Sequence, residues 1–125
     1  MIWHSIKNLR RSHLNEITAE VEIGSDSPWF SGHFPGEPIL PGIAQLAIIF
    51  EAIERSADKQ LAVTGISRVK FRQIIRPHDH LSLIVSAVKN DLGSSAFRLM
   101  AGDELACRGT MFTIERAGLK TTTNS

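Results

Sequence analysis

The sequence has a single cysteine, Cys107, among its 125 residues. One cysteine excludes an internal disulfide and offers no spacing of metal-ligating thiols. No segment is apolar over the length of a membrane span, and the first residues lack the apolar core of a signal peptide. We therefore expect a cytoplasmic protein. The sequence gives no indication of a metal or another cofactor, and Cys107 is expected to be buried and inert in the last strand.

An excess of charge of either sign is also absent. Lysine and arginine together number 14 and aspartate and glutamate 13, for a net charge of +1. Bulk charge thus indicates neither a nucleic acid nor an anionic membrane as a partner. The apolar share of 42% and the charged share of 22% are typical of a globular protein. We expect one domain over residues 1–125, with residues 116–125 as a disordered tail.

The pattern of apolar residues predicts one helix and five strands. Residues 17–23, ITAEVEI, alternate as a half-buried strand does. Residues 42–57, GIAQLAIIFEAIERSA, follow Pro41 and are apolar nearly all round in their first half, which predicts a buried helix. Four further strands are predicted in VTGISRVKF, HLSLIVSAVK, SAFRLMA and ELACRGTMFTI. The last two are predicted to form a hairpin across Gly102 and Asp103.

One helix followed by four antiparallel strands predicts an α+β fold in which a curved sheet wraps around the helix. Such a sheet covers only part of a helix that is apolar on most sides. The rest of the helix surface needs another cover. We therefore expect a homodimer that extends the sheet.

The segment SGHFPGEPILPG, residues 31–42, contains three prolines, three glycines and one histidine, His33. Prolines remove backbone freedom, and glycines permit turns that are closed to other residues. A neutral imidazole transfers protons near neutral pH, and it does so efficiently only when it is held at a fixed distance and angle. His33 is therefore a candidate general base. The alternative is a loop histidine that is hydrogen-bonded for packing.

The sequence GHFPGEPILPG, followed directly by a hydrophobic helix, resembles the hot-dog-fold 3-hydroxyacyl-acyl-carrier-protein dehydratases. The matching positions are Gly32, His33, Phe34, Pro35, Pro38, Ile39, Pro41 and Gly42. A second block, GISRVKFRQIIRPHDHLSL, matches the family at Phe71, Pro77 and Asp79. The resemblance extends from about Glu16 to Glu115. It implies a dimer, often assembled further into a hexamer, with active sites at the dimer interface.

The resemblance also implies a reaction and a set of site residues. The substrate would be an acyl thioester of acyl carrier protein or coenzyme A, in fatty acid or related lipid or polyketide synthesis. His33 would remove a proton from the carbon next to the thioester carbonyl, after which water leaves. The candidate substrate-binding residues are Phe34, Pro41, Gly42 and Ala47. A backbone N–H at the start of the helix, at Gly42, would stabilise the developing negative charge. The alternative is that the turn alone requires this glycine.

The sequence departs from the family pattern at Ala47. Family members carry a carboxylate there, five residues past the glycine, and this carboxylate helps the hydroxyl group to leave. Glu51 lies one turn further on nearly the same face of the helix, so it is a candidate relocated acid that acts through water. The alternative is an ion pair with Arg55 at the favourable i,i+4 spacing. Gln45 lies on the opposite side and is expected at a dimer contact.

The missing carboxylate leaves a second class of function open. The chain is either a dehydratase in which Glu51 or water replaces the acid, or a hot-dog protein that has lost dehydration. A protein of the second kind would hydrolyse thioesters, with Glu51 activating water, or would only bind an acyl chain. His33 favours the dehydratase, and Ala47 favours the alternative.

The remaining polar residues give weaker indications. Arg68, Lys70 and Arg72 alternate along a predicted strand, and Arg76 follows. This basic stripe is a candidate docking surface for an acidic carrier protein, or an ordinary solvated strand face. A turn that holds two histidines and one aspartate supplies too few ligands for a metal. The resemblance gives Asp79 a role in shaping this loop.

Overall fold

The computed structural model describes residues 3–12, 14–30, 38–88 and 93–116. The elements are β1 (Ser5–Arg11), β2 (Glu16–Glu22), a 3-10 turn (Pro28–Phe30), α1 (Gly42–Ala57), β3 (Leu61–Phe71), β4 (Leu81–Ala87), β5 (Ser94–Ala101) and β6 (Glu104–Glu115). The predicted α+β fold is confirmed, and the five predicted strands and the helix are all present. Of the predicted tail, residues 116–125, only residue 116 is described.

The strands form a six-stranded sheet in the order β1-β2-β4-β5-β6-β3, and every neighbouring pair is antiparallel. β5 and β6 are joined by the predicted hairpin, in which Gly102 has a φ of 60°. That left-handed backbone costs a glycine little, which explains the residue type at this turn. β1 and β3 are left at the two edges of the sheet.

Helix α1 begins at Gly42, directly after Pro41, as predicted. It ends at Asp58, whose left-handed backbone lets its N–H donate to the carbonyl oxygens of Glu54 and Arg55. The buried helix residues are Ala44, Gln45, Ile48, Ile49, Ala52 and Ile53. The opposite side of the helix is left uncovered in the single chain, as expected of a sheet that covers only part of it, and the side chain of Ile43 is 71% exposed there.

The sheet covers the helix because its inner face is apolar. Alternation along the strands places one buried residue after another against α1. Fully buried examples are Val21 of β2, Leu83 of β4, Leu99 of β5 and Met111 of β6. β1 and β2 contact α1 from one edge of the sheet, and β3 contacts it from the other. The sheet therefore curves around the helix. With 16 residues, α1 is too short to cross a membrane, and no other helix of the described ranges qualifies.

Strand β1 was missed by the sequence analysis. Its sequence, SIKNLRR, is mostly polar, and Ile6 is its only buried residue. Asn8 has a positive φ of 53°, and the pairing with β2 shifts between Lys7 and Arg10. This irregularity removes the strict alternation by which a strand is recognised in a sequence.

Candidate active site

Ala47 and Glu51 lie one turn apart on the side of α1 that the sheet leaves uncovered. Ala47 is exposed and Glu51 is half-buried, whereas their neighbours Ile48 and Ile49 are fully buried. The predicted common face of the two positions is confirmed. Gln45 lies on the other side, as expected, but the prediction of a dimer contact is wrong because its side chain is only 3% exposed within its own chain.

The carboxylate of Glu51 has two partners. Its Oε2 lies 3.2 Å from Nη1 of Arg55, which confirms the predicted i,i+4 ion pair. Its Oε1 lies 2.9 Å from Nε2 of His4, a contact that sequence reasoning missed. Forty-seven positions separate these two residues, and β1, which His4 precedes, was not predicted. No short-range pattern in the sequence carries that information.

His4 is held on its other side by Trp29. The indole Nε1–H of Trp29 donates to Nδ1 of His4 over 3.1 Å. Because Nδ1 accepts this hydrogen bond, the imidazole proton of the neutral ring lies on Nε2, from which it is donated to Glu51. The ring planes of His4 and Trp29 lie 25° apart, with their centroids separated by 6.3 Å. The tautomer and the orientation of this imidazole are therefore both fixed.

The same network holds the chain that leads into the histidine motif. The hydroxyl of buried Ser27 donates to the backbone oxygen of Trp3 and accepts from the backbone N–H of Trp29. Trp3 packs edge-on against Trp29, with ring centroids 4.8 Å apart. The 3-10 turn at Pro28–Phe30 is thus tied to the N-terminal segment and, through His4, to helix α1. This turn ends directly before residue 31, where the motif begins.

His33 and Phe34 fall outside the described residues, within 31–37. The chain is described again from Pro38 onward. Beyond it, the N–H of buried Leu40 donates to the backbone oxygen of buried Ile75 over 2.8 Å. The far end of the motif is therefore fixed to the loop between β3 and β4.

Gly42 faces the aromatic ring of Phe71. A Cβ atom added at Gly42 would lie 2.7 Å from Cζ of Phe71, closer than atoms pack, so the glycine makes room for this ring. The first helical hydrogen bonds are donated by Ala44 and Gln45 to the oxygen of Pro41. The two earlier amides, at Gly42 and Ile43, therefore have no acceptor within the helix. Phe71 is 50% exposed, so its ring is an accessible wall beside these amides.

The four basic residues assigned to carrier docking are all exposed, but they do not form one stripe. The pairing of β3 with β6 shifts between Ser67 and Lys70, and Arg68 has a positive φ of 56°. This bulge interrupts the alternation that the sequence indicated. Arg72 and Arg76 lie beyond the end of β3.

Asp79 and Cys107 occupy the structural positions expected of them. Oδ2 of Asp79 accepts a hydrogen bond of 2.8 Å from the backbone N–H of Arg76, so this carboxylate shapes its own loop. Cys107 is fully buried in β6, and burial raises the pKa of its thiol from 9.0 to about 11. A thiol of this kind is a poor nucleophile at neutral pH.

Comparison with known proteins identifies the family. The model of the ApeI-like family, described as ApeI dehydratase, matches residues 9–110. The chain belongs to this dehydratase family. It is 34% identical over 111 residues to the 3-hydroxyacyl-[acyl-carrier-protein] dehydratase FabZ of Alkaliphilus metalliredigens, which covers 74% of this chain and 76% of the relative. It is also 34% identical to FabZ of Haemophilus influenzae, over 80% of this chain and 74% of that one.

Solved structures with the same fold include members of two classes of enzyme. A structure of the dehydratase heterocomplex ApeI:P from Xenorhabdus doucetiae matches with a TM-score of 0.80 and 22% identity, over 91% of this chain and all of that one. The fluoroacetyl-CoA-specific thioesterase FlK matches with a TM-score of 0.64 and 12% identity, over 87% and 92% of the two chains. These likenesses confirm the hot-dog fold. The family match and the FabZ relatives make this member of the fold a dehydratase-like hydro-lyase.

Proposed function

We propose that this chain dehydrates 3-hydroxyacyl thioesters of an acyl carrier protein and that it supplies only part of the active site. His33 is the base that takes the proton from the carbon next to the thioester carbonyl, and the hydroxyl group leaves as water. The observation that carries the proposal is Ala47, an exposed residue on the uncovered face of α1, at the position where the family resemblance calls for a carboxylate. The acid must therefore come from another residue.

Glu51 is the first candidate for this acid, because it lies on the same helix face. Its carboxylate accepts hydrogen bonds from Arg55 and from His4. In this arrangement Glu51 is an acceptor, and its proton would have to arrive through His4 or a water molecule. The alternative source is a second polypeptide whose carboxylate faces Ala47. The heteromeric assembly of the ApeI:P dehydratase supports this alternative.

We further propose that the chain forms a dimer through β3. This strand has 11 residues and lies at an edge of the sheet, where its outer backbone groups have no partner strand among the described residues. Exposed apolar side chains accompany the edge: Ile43, Val63, Ile66, Phe71, Ile74 and Ile114. Pairing of two β3 strands would bury these side chains and bring the uncovered face of α1 towards a partner. A hexamer built from such dimers stays a prediction.

Carrier docking is proposed for Lys70, Arg72 and Arg76, which lie at and beyond the end of β3. Acyl carrier proteins are acidic, so a basic surface near the helix start would attract them. The expected location in the cytoplasm stays a prediction, which fractionation of cells producing the chain would test.

The test is to incubate the purified chain with a 3-hydroxyacyl carrier protein and to determine the mass of the product. Loss of one water supports the proposal, whereas release of a free acid and a thiol would assign the chain to the thioesterases. An unchanged substrate would leave only a binding role for the chain alone. Repeating the assay with a second hot-dog chain from the same organism then distinguishes a missing partner from a missing activity.

The variant His33→Ala examines the base directly. Removal of a general base lowers turnover on the order of a hundredfold or more, while the prolines of the motif keep the fold intact. Circular dichroism verifies the fold. Near-normal turnover in a folded His33→Ala protein would contradict the proposed mechanism.

A further inference from the structure

Three arginines lie on the outer face of the sheet, away from the helix. Arg98 of β5 and Arg108 of β6 are directly opposite one another in the pairing register. Together with Arg68 of β3 they line one groove, which has a volume of about 280 Å³. Lys70 follows as the partner of Arg108 on β3. This group of Arg68, Arg98 and Arg108 is called the arginine groove below.

The fold itself dictates this placement. Phe97 and Leu99, on either side of Arg98, are buried against the helix, so Arg98 points to the outer face. Arg108 pairs with Arg98 and therefore shares that face. Arg68 reaches the groove from the bulge in β3, where its positive φ of 56° departs from regular strand geometry. A backbone conformation that is costly for an arginine thus brings the third cation to the other two.

The arginines of the groove are not neutralised by ion pairs in the described part of the chain. Like charges directly opposite each other in a sheet are destabilising, and yet Arg98 and Arg108 form such a pair. None of the three arginines takes part in an ion pair among the described residues, whereas Lys7, Arg55 and Lys59 each contact a glutamate. One carboxylate contacts the lining of the groove, because Glu16 accepts a hydrogen bond of 3.3 Å from Ser86.

The size and the lining of the groove indicate the chemistry of a ligand. The small side chain of Ala96 leaves space between the arginines, and Thr110 adds a hydroxyl group to the lining. A guanidinium group presents a planar fork of donors that matches phosphate oxygens in pairs. A single arginine can already donate hydrogen bonds to both oxygens of one carboxylate. Three guanidinium groups around one small groove are instead suited to a compact anion that carries several negative charges.

We propose that the arginine groove binds the diphosphate group of a small soluble molecule. This inference does not depend on the proposed activity, because the groove lies on the sheet face opposite the helix. The test is titration calorimetry of the full chain with inorganic pyrophosphate and with adenosine diphosphate, at physiological salt. Both probes are expected to bind saturably at one site per chain. Arg98→Gln combined with Arg108→Gln is expected to weaken the affinity roughly tenfold or more.

A matched control removes the same amount of charge elsewhere. Lys7→Gln combined with Lys59→Gln also lowers the net charge by two, but these lysines are exposed and paired with glutamates. The control is expected to bind pyrophosphate as the wild type does. Equal weakening in the control would ascribe the effect to the overall field of the protein and would overturn the proposal.

Two further measurements make the test specific. Arg98→Lys keeps the charge but removes the fork, so it is expected to weaken binding by less than the double variant but measurably. Thermal unfolding of the double variant is expected to occur at the same temperature or a higher one, because the opposed charges are gone. No saturable binding of either probe to the wild type would overturn the proposal. Tighter binding of a glutamate-rich peptide, or self-association that the double variant abolishes, would also overturn it, because an acidic protein or a second copy would then be the occupant.

Discussion

The two faces of helix α1 differ in composition and in how far their side chains are buried. Apart from Gln45, the covered face is made of alanine and isoleucine, which fill the space against the sheet and carry no reactive group. The uncovered face holds Ile43, Ala47 and Glu51, of which Ile43 is largely exposed and Glu51 is bound to groups of its own chain. One face completes a core within the chain. The other has the composition of a surface that a second chain completes.

This difference separates stability from activity along a single helix. Substitutions on the covered face are expected to change the free energy of unfolding of one chain. Substitutions on the uncovered face are expected to change catalysis and assembly instead. The predictions below examine this division, beginning with the largest effect.

Ile48→Ala on the covered face is expected to have the largest effect on stability. Ile48 is fully buried, and truncation of a buried isoleucine costs about 2–5 kcal/mol through lost burial and the cavity that remains. Denaturation by urea, followed by circular dichroism, measures this loss. Ile43→Ala provides the control, because a side chain that is 71% exposed contributes little to the folding of one chain.

The same control tests the proposed dimer. If β3 pairs with a second chain, Ile43→Ala should raise the dissociation constant of the dimer while it leaves the unfolding of the monomer nearly unchanged. Sedimentation over a range of concentrations separates the two quantities. A loss of monomer stability in Ile43→Ala equal to that of Ile48→Ala would contradict the division between the faces.

Ala47→Glu is expected to have the next largest effect, on activity. A carboxylate at this position restores the acid that the family resemblance implies, and general acid catalysis contributes on the order of a hundredfold. Because Ala47 is exposed in the single chain, the substitution leaves the fold intact. The measurement is the rate of water loss from a 3-hydroxyacyl carrier protein.

Glu51→Gln completes this experiment. If Glu51 is the working acid, Glu51→Gln alone should abolish most of the activity but should matter little once position 47 carries a carboxylate. An Ala47→Glu chain that folds and binds the carrier but gains no activity would favour an acid supplied by a second polypeptide. It would also favour a binding role for this chain.

The sequence predicted the covered face better than the uncovered one. Period-two alternation in β2 and the apolar run of α1 are local signals that burial imposes, so the helix bounds were confirmed and the strand was found one residue from its predicted position. β1 was missed because its burial is limited to Ile6 and its bulge breaks the alternation. The contact of His4 with Glu51 joins residues 47 positions apart, and only the three-dimensional fold brings them together. Long-range polar contacts leave no periodic trace in a single sequence.

A double-mutant cycle on His4 and Glu51 is expected to show a smaller, measurable coupling. His4→Phe keeps the ring and removes its hydrogen bonds, and Glu51→Gln removes the charge. Because the side chain of Glu51 is 40% exposed, solvent screens the contact, and we expect a coupling of about 0.5–1 kcal/mol. The matched control pair is Lys7 and Glu22, which lie 2.9 Å apart but are more exposed. A coupling no larger than that of the control would reduce the His4 contact to an ordinary surface pair.

The thiol of Cys107 is expected to have the smallest effect on stability at neutral pH. Its accessibility to reagents measures how well the sheet excludes solvent from the covered face of α1. Its thiol lies on the inner face of the sheet, and burial raises its pKa from 9.0 to about 11. Below pH 9 the thiol is protonated in both the folded and the unfolded chain, so its contribution to stability is fully present. As the pH rises from 9 to about 11, the unfolded chain releases this proton first. Unfolding is then favoured, and that contribution is lost.

Two measurements test this prediction. A maleimide reagent at pH 7 should label the unfolded chain and leave the folded chain unlabelled, because neither access nor thiolate is available in the core. Urea titrations between pH 8 and pH 11 should show a fall in stability that is shallower in Cys107→Ala, since the variant has no proton to release at this position. Rapid labelling of the native chain at pH 7 would mean that β6 separates readily from α1. In that case the covered face of α1 would be as accessible to solvent as the uncovered one.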